Sequence, residues 1–180
     1  MKREVTLHFI ALVLFFLLIS LFKKWFSPFY LGFWLGGIIG TILPDLDHLI
    51  YILYLKPNEA TSQKVNRLIE KGEILKTFQV LTVTRNERKS LIFHTIAFQA
   101  LFFILVFWTI TSTGSILGRG LVLAFALHLL VDQVVDLTQT KSLDTWFRGI
   151  YPLRSGVDSE KATFYWLASF IVLILFGFFF

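Results

Sequence analysis

The chain has no cysteine, one methionine and four prolines in 180 residues, and only 16% of its residues are charged. Without cysteine there is no disulfide framework, no thiolate metal site and no thiol nucleophile, so any chemistry must come from oxygen and imidazole groups. The scarcity of charge, set beside 56% apolar and 17% aromatic residues and a mean hydropathy of +0.70, excludes an ordinary water-soluble domain. The residues are those of a membrane protein. Its net charge of +5 and isoelectric point near 9.6 fit a basic segment lying on anionic lipid head groups, and no nucleic-acid partner is expected.

Apolar runs of 18 or more residues occupy Val5 to Phe22, Phe29 to Leu55, Leu91 to Thr113, Ile116 to Leu137 and Ala162 to Phe180. Each is about long enough to cross a ~30 Å hydrocarbon core at ~1.5 Å per residue. None shows the period-2 alternation of a membrane barrel. The fold expected is therefore all-α, a polytopic bundle of about five transmembrane helices forming one membrane-embedded domain over residues 1–180. Met1-Lys2-Arg3 before an apolar run imitates a signal peptide, but no small-residue cleavage pattern precedes Lys23-Lys24, so the run reads as an uncleaved first span.

Lysine and arginine are distributed unevenly between the runs. With the N-terminus in the cytoplasm, fourteen fall on the cytoplasmic side and three outside. That bias predicts a multi-pass protein of the cell (inner) membrane with its N-terminus inside. Residues 56–90 carry eight of the basic residues, and the spacing of Val65, Leu68, Ile69, Ile74, Leu75 and Phe78 predicts a cytoplasmic amphipathic loop, helical at the interface and interrupted at Gly72.

All four histidines, His8, His48, His94 and His128, fall inside apolar runs, as do Asp45, Asp47 and Asp132. An ionisable group at the centre of a membrane helix costs ~2.5–3.5 kcal/mol on insertion scales, so it is expected to face the bundle interior and serve a site or a pathway. At ~1.5 Å per residue from the cytoplasmic ends of their runs, His8 and His94 lie about 5 Å deep, Asp132 about 8 Å, His48 about 10 Å, and His128 and Asp45 about 14–15 Å. The depths converge on the cytoplasmic leaflet.

Within Leu43-Pro44-Asp45-Leu46-Asp47-His48, proline predicts two helical segments joined near Leu43. The two aspartates either cap the second segment or serve as ligands. His128 and Asp132, at i and i+4, share a helix face and either bind one ion together or neutralise each other; Asp136 continues that face. Gly36, Gly37 and Gly40 permit close helix contact. Carboxylates and imidazoles without thiolates suit Zn²⁺, Mn²⁺ or Fe²⁺. The metal-ligand candidates are His8, Asp45, Asp47, His48, His94, His128 and Asp132, enough for one or two divalent transition-metal ions, with zinc first. Such a centre activates water for hydrolysis without a Ser or Cys nucleophile, and a carboxylate that holds no metal, Asp47 or Asp136, would accept the proton.

The order of these elements resembles the membrane-bound metal-dependent hydrolases of bacterial and archaeal inner membranes. The match rests on the early His8, on Gly40 with Leu43 to His48, on His94-Thr95, on His128 with Asp132, and on Thr138 with Tyr151-Pro152, and it covers about residues 6–152. The chain departs from the pattern before His94: that family carries a further His-Arg pair where Arg88-Lys89-Ser90 stands here. The resemblance implies a helical membrane bundle and a hydrolase activity. The expected substrate is a lipid-like ester or phosphoester taken from the cytoplasmic leaflet. Two other classes stay open: a divalent-cation or proton transporter using the same cluster, and a scaffold with a structural metal. A transporter predicts polar residues across the whole membrane depth, and the outer halves of the runs carry almost none.

Overall fold

In the computed structural model, residues 2–88, 90–112, 114–148 and 158–179 are described, and all regular structure among them is helical. Helix α1 runs Lys2–Phe22, and a turn of 3₁₀ helix at Pro28–Tyr30 leads into α2, Leu31–Ile42. As expected from Pro44, which lacks an N–H, the α-helical ladder breaks into 3₁₀ at Leu43–Asp45. It resumes as α3, Leu46–Ile50, and widens into a π turn at Tyr51–Leu55. The polar segment forms α4, Ala60–Glu70, and α5, Ile74–Val83, separated at Gly72, whose φ of 70° places it in the left-handed region that glycine enters at least cost. Helices α6, Ile96–Ser112, α7, Ile116–Gln139, and α8, Ser159–Phe179, complete the chain.

Four of these stretches are long and apolar enough to cross a membrane: Val5–Phe22, Pro28–Leu55, Ile116–Gln139 and Glu160–Phe179. The fifth apolar run gives α6, a helix of 17 residues instead of the 23 in Leu91 to Thr113. The difference has a physical source. Asp47 accepts hydrogen bonds from the backbone N–H groups of Ile92, Phe93 and His94, at 3.0, 2.6 and 3.3 Å, and donors turned toward a side chain are not aligned along a helix axis. The helix starts only at Ile96, where Thr95 Oγ1 accepts from Phe98 N.

Helix α7 is the centre of the bundle, buried from Val122 through Gln133. Its seam with α2 is made of glycines. A Cβ built on Gly36 would overlap the Leu117 carbonyl oxygen, one on Gly40 that of Leu121, and one on Gly120 that of Phe33. Backbones therefore meet directly. Phe16 of α1 packs on Gly37 and stacks on Phe33 at 4.2 Å between ring centroids. Polar bonds tie the other side: Gln133 donates to Gln99 (2.7 Å), which also accepts from Tyr165 (3.0 Å), while Trp166 donates to the Leu130 carbonyl (3.0 Å). Outward faces carry Leu14, Leu18, Leu35, Leu101, Ile104, Phe164 and Ile171, all exposed, as a helix surrounded by lipid requires. Several long apolar helices with apolar outer faces are compatible with a multi-pass membrane protein.

Candidate metal centre

The structure gathers His8, Asp47, His48, His94, His128 and Asp132 at one end of the bundle, all buried. Three elements far apart in sequence supply them: the start of α1, the segment from Pro44 to His94 that leaves and re-enters the bundle, and the second half of α7. Asp132 is the hub. Its Oδ1 lies 3.1 Å from His8 Nε2 and 2.8 Å from an Arg85 nitrogen, and its Oδ2 lies 2.9 Å from His94 Nε2 and 3.2 Å from His128 Nε2. The His8 and His128 rings are 4.1 Å apart.

His8, His128 and Asp132 each offer one ligand atom, and these atoms lie within 4.8 Å of one another. The orphaned nitrogens of His128 test the fit to a metal. Its Nε2 faces Asp132 outside hydrogen-bonding geometry, and its Nδ1 has no hydrogen-bond partner among the described residues. A buried imidazole left in that condition has lone-pair capacity to give a cation. A carboxylate has about four lone-pair directions; His94 takes one on Asp132 Oδ2, while Oδ1, paired with Arg85 by charge, has no hydrogen-bond partner among the described residues. Two imidazoles and a carboxylate match the donor sets of catalytic zinc and non-haem iron sites. The group could hold a metal ion.

The other candidates have different surroundings. His94 sits between carboxylates, Nδ1 at 3.2 Å from Asp47 and Nε2 at 2.9 Å from Asp132, so both of its ring nitrogens are engaged by protein groups. His48 accepts from Arg88 Nε at 3.0 Å, which fixes its proton on the other nitrogen. Asp45 stands at the edge, its side chain 60% exposed and 3.8 Å from His128 Nε2. Neither aspartate caps α3 through its side chain. Asp47 is occupied by the Ile92–His94 amides, and Asp136 accepts from Trp146 Nε1 at 2.7 Å and pairs with Arg85 at 3.6 Å. Thr138 bonds back to the Val135 carbonyl, and Tyr151-Pro152 lies outside the described residues.

Sequence reasoning missed Arg85, Arg88 and Trp146 as members of the site. The spacing of the two arginines, three apart and just ahead of His94, was the available signal. Instead of reaching head groups, Arg85 pairs with Asp132 and Asp136, and Arg88 reaches His48. Burial, with Arg85 beside it, lowers the Arg88 guanidinium to about 10, which leaves it cationic at neutral pH. Both arginines line a cavity of about 270 Å³ with Leu91, His94, Asp136 and Trp146.

No protein-family model, curated protein or solved structure matches the chain.

The role of Asp47 as a clamp on the entry to α6 can be measured. Asp47→Ala removes the acceptor of three backbone N–H groups and one imidazole. Hydrogen bonds to a buried charged group are worth about 1.5–3 kcal/mol each, so the expected loss of unfolding free energy is about 3 kcal/mol or more. Asp45→Ala, at an exposed position, should stay within about 0.5 kcal/mol. Equal melting temperatures for the two variants in detergent would refute the clamp.

Proposed function

We propose that the protein is a metal-dependent hydrolase acting on a lipid-like ester or phosphoester from the cytoplasmic leaflet. The observation that carries the reading is the juxtaposition of a buried His8–His128–Asp132 group with a cavity lined by His94, Asp136 and Arg85. A ligand set without an adjoining cavity would serve structure alone.

His8, His128 and Asp132 would hold the ion, zinc first and manganese or iron next, and it would supply Lewis acidity and a water ionisable near neutral pH. His94 Nε2, oriented by Asp47, orients the Asp132 carboxylate in turn, and such outer partners govern ligand basicity. Asp136 lines the cavity and would take a proton from water. Arg85, bridging Asp132 and Asp136, offsets part of their negative charge. The basic residues of the 56–90 segment, with exposed Leu75, Phe78 and Val83, suit an anionic lipid surface, where a substrate anchored by its tail is already positioned.

Protein purified in detergent without chelator is expected to carry one to two equivalents of a first-row transition metal. It should release product from at least one member of a lipid ester and phosphoester panel, and a chelator should abolish that release. Less than a tenth of an equivalent after metal supplementation sinks the metal reading. Metal retained without turnover, together with divalent-cation flux in liposomes, assigns the cluster to transport.

A further inference from the structure

Beside the ligand group lies a cation that no acid among the described residues neutralises by direct contact. Arg88 is 5% exposed, and its guanidinium bonds among the described residues are all to neutral acceptors: Nε to His48 Nδ1 at 3.0 Å, Nη1 to Thr84 Oγ1 at 3.0 Å, and Nη2 to the Leu81 carbonyl. A guanidinium has five N–H donors, so two remain. A buried charge held only by neutral groups is costly, and the natural remedy is an anion. Arg85, in the same cavity, already pairs with Asp132 and Asp136. The rest of the polar lining is His94, the hydroxyls of Thr140, Ser142 and Thr145, and the carboxylates of Asp136 and Asp144. Asp136 is held by Trp146 and Arg85, and Asp144 is exposed.

We propose that this cavity binds a phosphate-bearing group, with Arg88 as its anion ligand, and that the group is the head-group phosphate of the substrate. As a statement about substrate it rests on the hydrolase reading, and it narrows ester or phosphoester to a phosphate-carrying lipid. Guanidinium N–H groups on two nitrogens suit an oxyanion presenting two oxygens. A cavity of about 270 Å³ takes a head group and leaves the acyl chains outside, beside the exposed apolar helices.

Calorimetric titration of the detergent-purified full chain, with chelator present throughout, tests the site without requiring turnover. Inorganic phosphate should bind saturably, acetate should compete poorly, and nanodiscs containing phosphatidic acid should displace phosphate where discs made only of a galactolipid, which carries no phosphate, do not. Arg88→Gln should weaken binding about tenfold or more, and Arg88→Lys, which keeps the charge and loses the fork, about tenfold. Lys64→Gln, on α4, should bind as the unaltered protein does. No saturable binding, equal competition by acetate, or unchanged affinity in Arg88→Lys overturns the proposal, and the lysine variant decides even where Arg88→Gln fails to fold. Free phosphate that phosphatidic-acid discs leave in place overturns the head-group assignment. Turnover of a neutral ester by a protein without phosphate affinity overturns this inference alone, whereas phosphate binding without any lipid turnover removes only the hydrolase reading.

Discussion

Asp132→Ala is expected to cost both the metal and a large part of the stability. Its carboxylate faces His8, Arg85, His94 and His128 at 2.8–3.2 Å, so one truncation strips a ligand and takes the nearer carboxylate from a half-buried cation. Breaking a buried charge pair by removing one partner costs about 3–5 kcal/mol, and here the guanidinium of Arg85 is left with Asp136 at 3.6 Å. Asp132→Asn separates the two effects. It keeps the volume and one carbonyl oxygen, so the helices should stay packed, while metal affinity should fall by about 100-fold or more, beyond the 10–100-fold typical of groups that only support ligands. Metal stoichiometry and thermal unfolding, measured together in detergent, check the pair, with Glu70→Gln in an exposed position as the unaffected control. Metal content unchanged in Asp132→Asn would show that the ligand group is elsewhere.

The spans were legible because lipid imposes a composition on whatever faces it, and the site was legible because the same lipid makes each His and Asp within a span expensive. Helix rise puts His8, Asp45, His48, His94, His128 and Asp132 near one face, and the folded chain brings all of them but Asp45, which stands at the edge, into one buried group. What each residue does was less visible. Asp47 and Asp132 look alike in sequence, yet one holds backbone amides and the other holds side chains, a difference decided by where the Ile92–His94 segment turns. Arg85 and Arg88 sit at a 3₁₀ turn and its end, where no periodicity reports which way a side chain points. Trp146 comes from the stretch after α7, whose polar composition hid a residue that is almost wholly buried and hydrogen-bonded to Asp136.

Gly40→Ala is expected to remove metal binding from a position that touches no ligand. The added Cβ would overlap the Leu121 carbonyl oxygen, and because the obstacle is backbone, no rotamer change relieves it. Helices α2 and α7 must separate or slide, an overpacking cost of about 1–3 kcal/mol. Leu121 lies two turns before the ligand His128 on α7, and Gly40 lies a few residues before Asp47, whose contact with His94 bears on Asp132, so displacement at the seam reaches the ligand group from both sides. A 1 Å error is enough to spoil a metal site held by residues from separate elements. Gly36→Ala and Gly120→Ala meet the same kind of backbone obstacle and should act in the same direction, whereas Gly114→Ala, whose Cβ would find nothing within 4 Å, should be neutral. Melting temperature and metal content measured across the four variants would fall together at the seam and stay level at Gly114. Full metal content in Gly40→Ala would mean that the ligands are positioned by the polar loops alone, independently of the α2–α7 crossing.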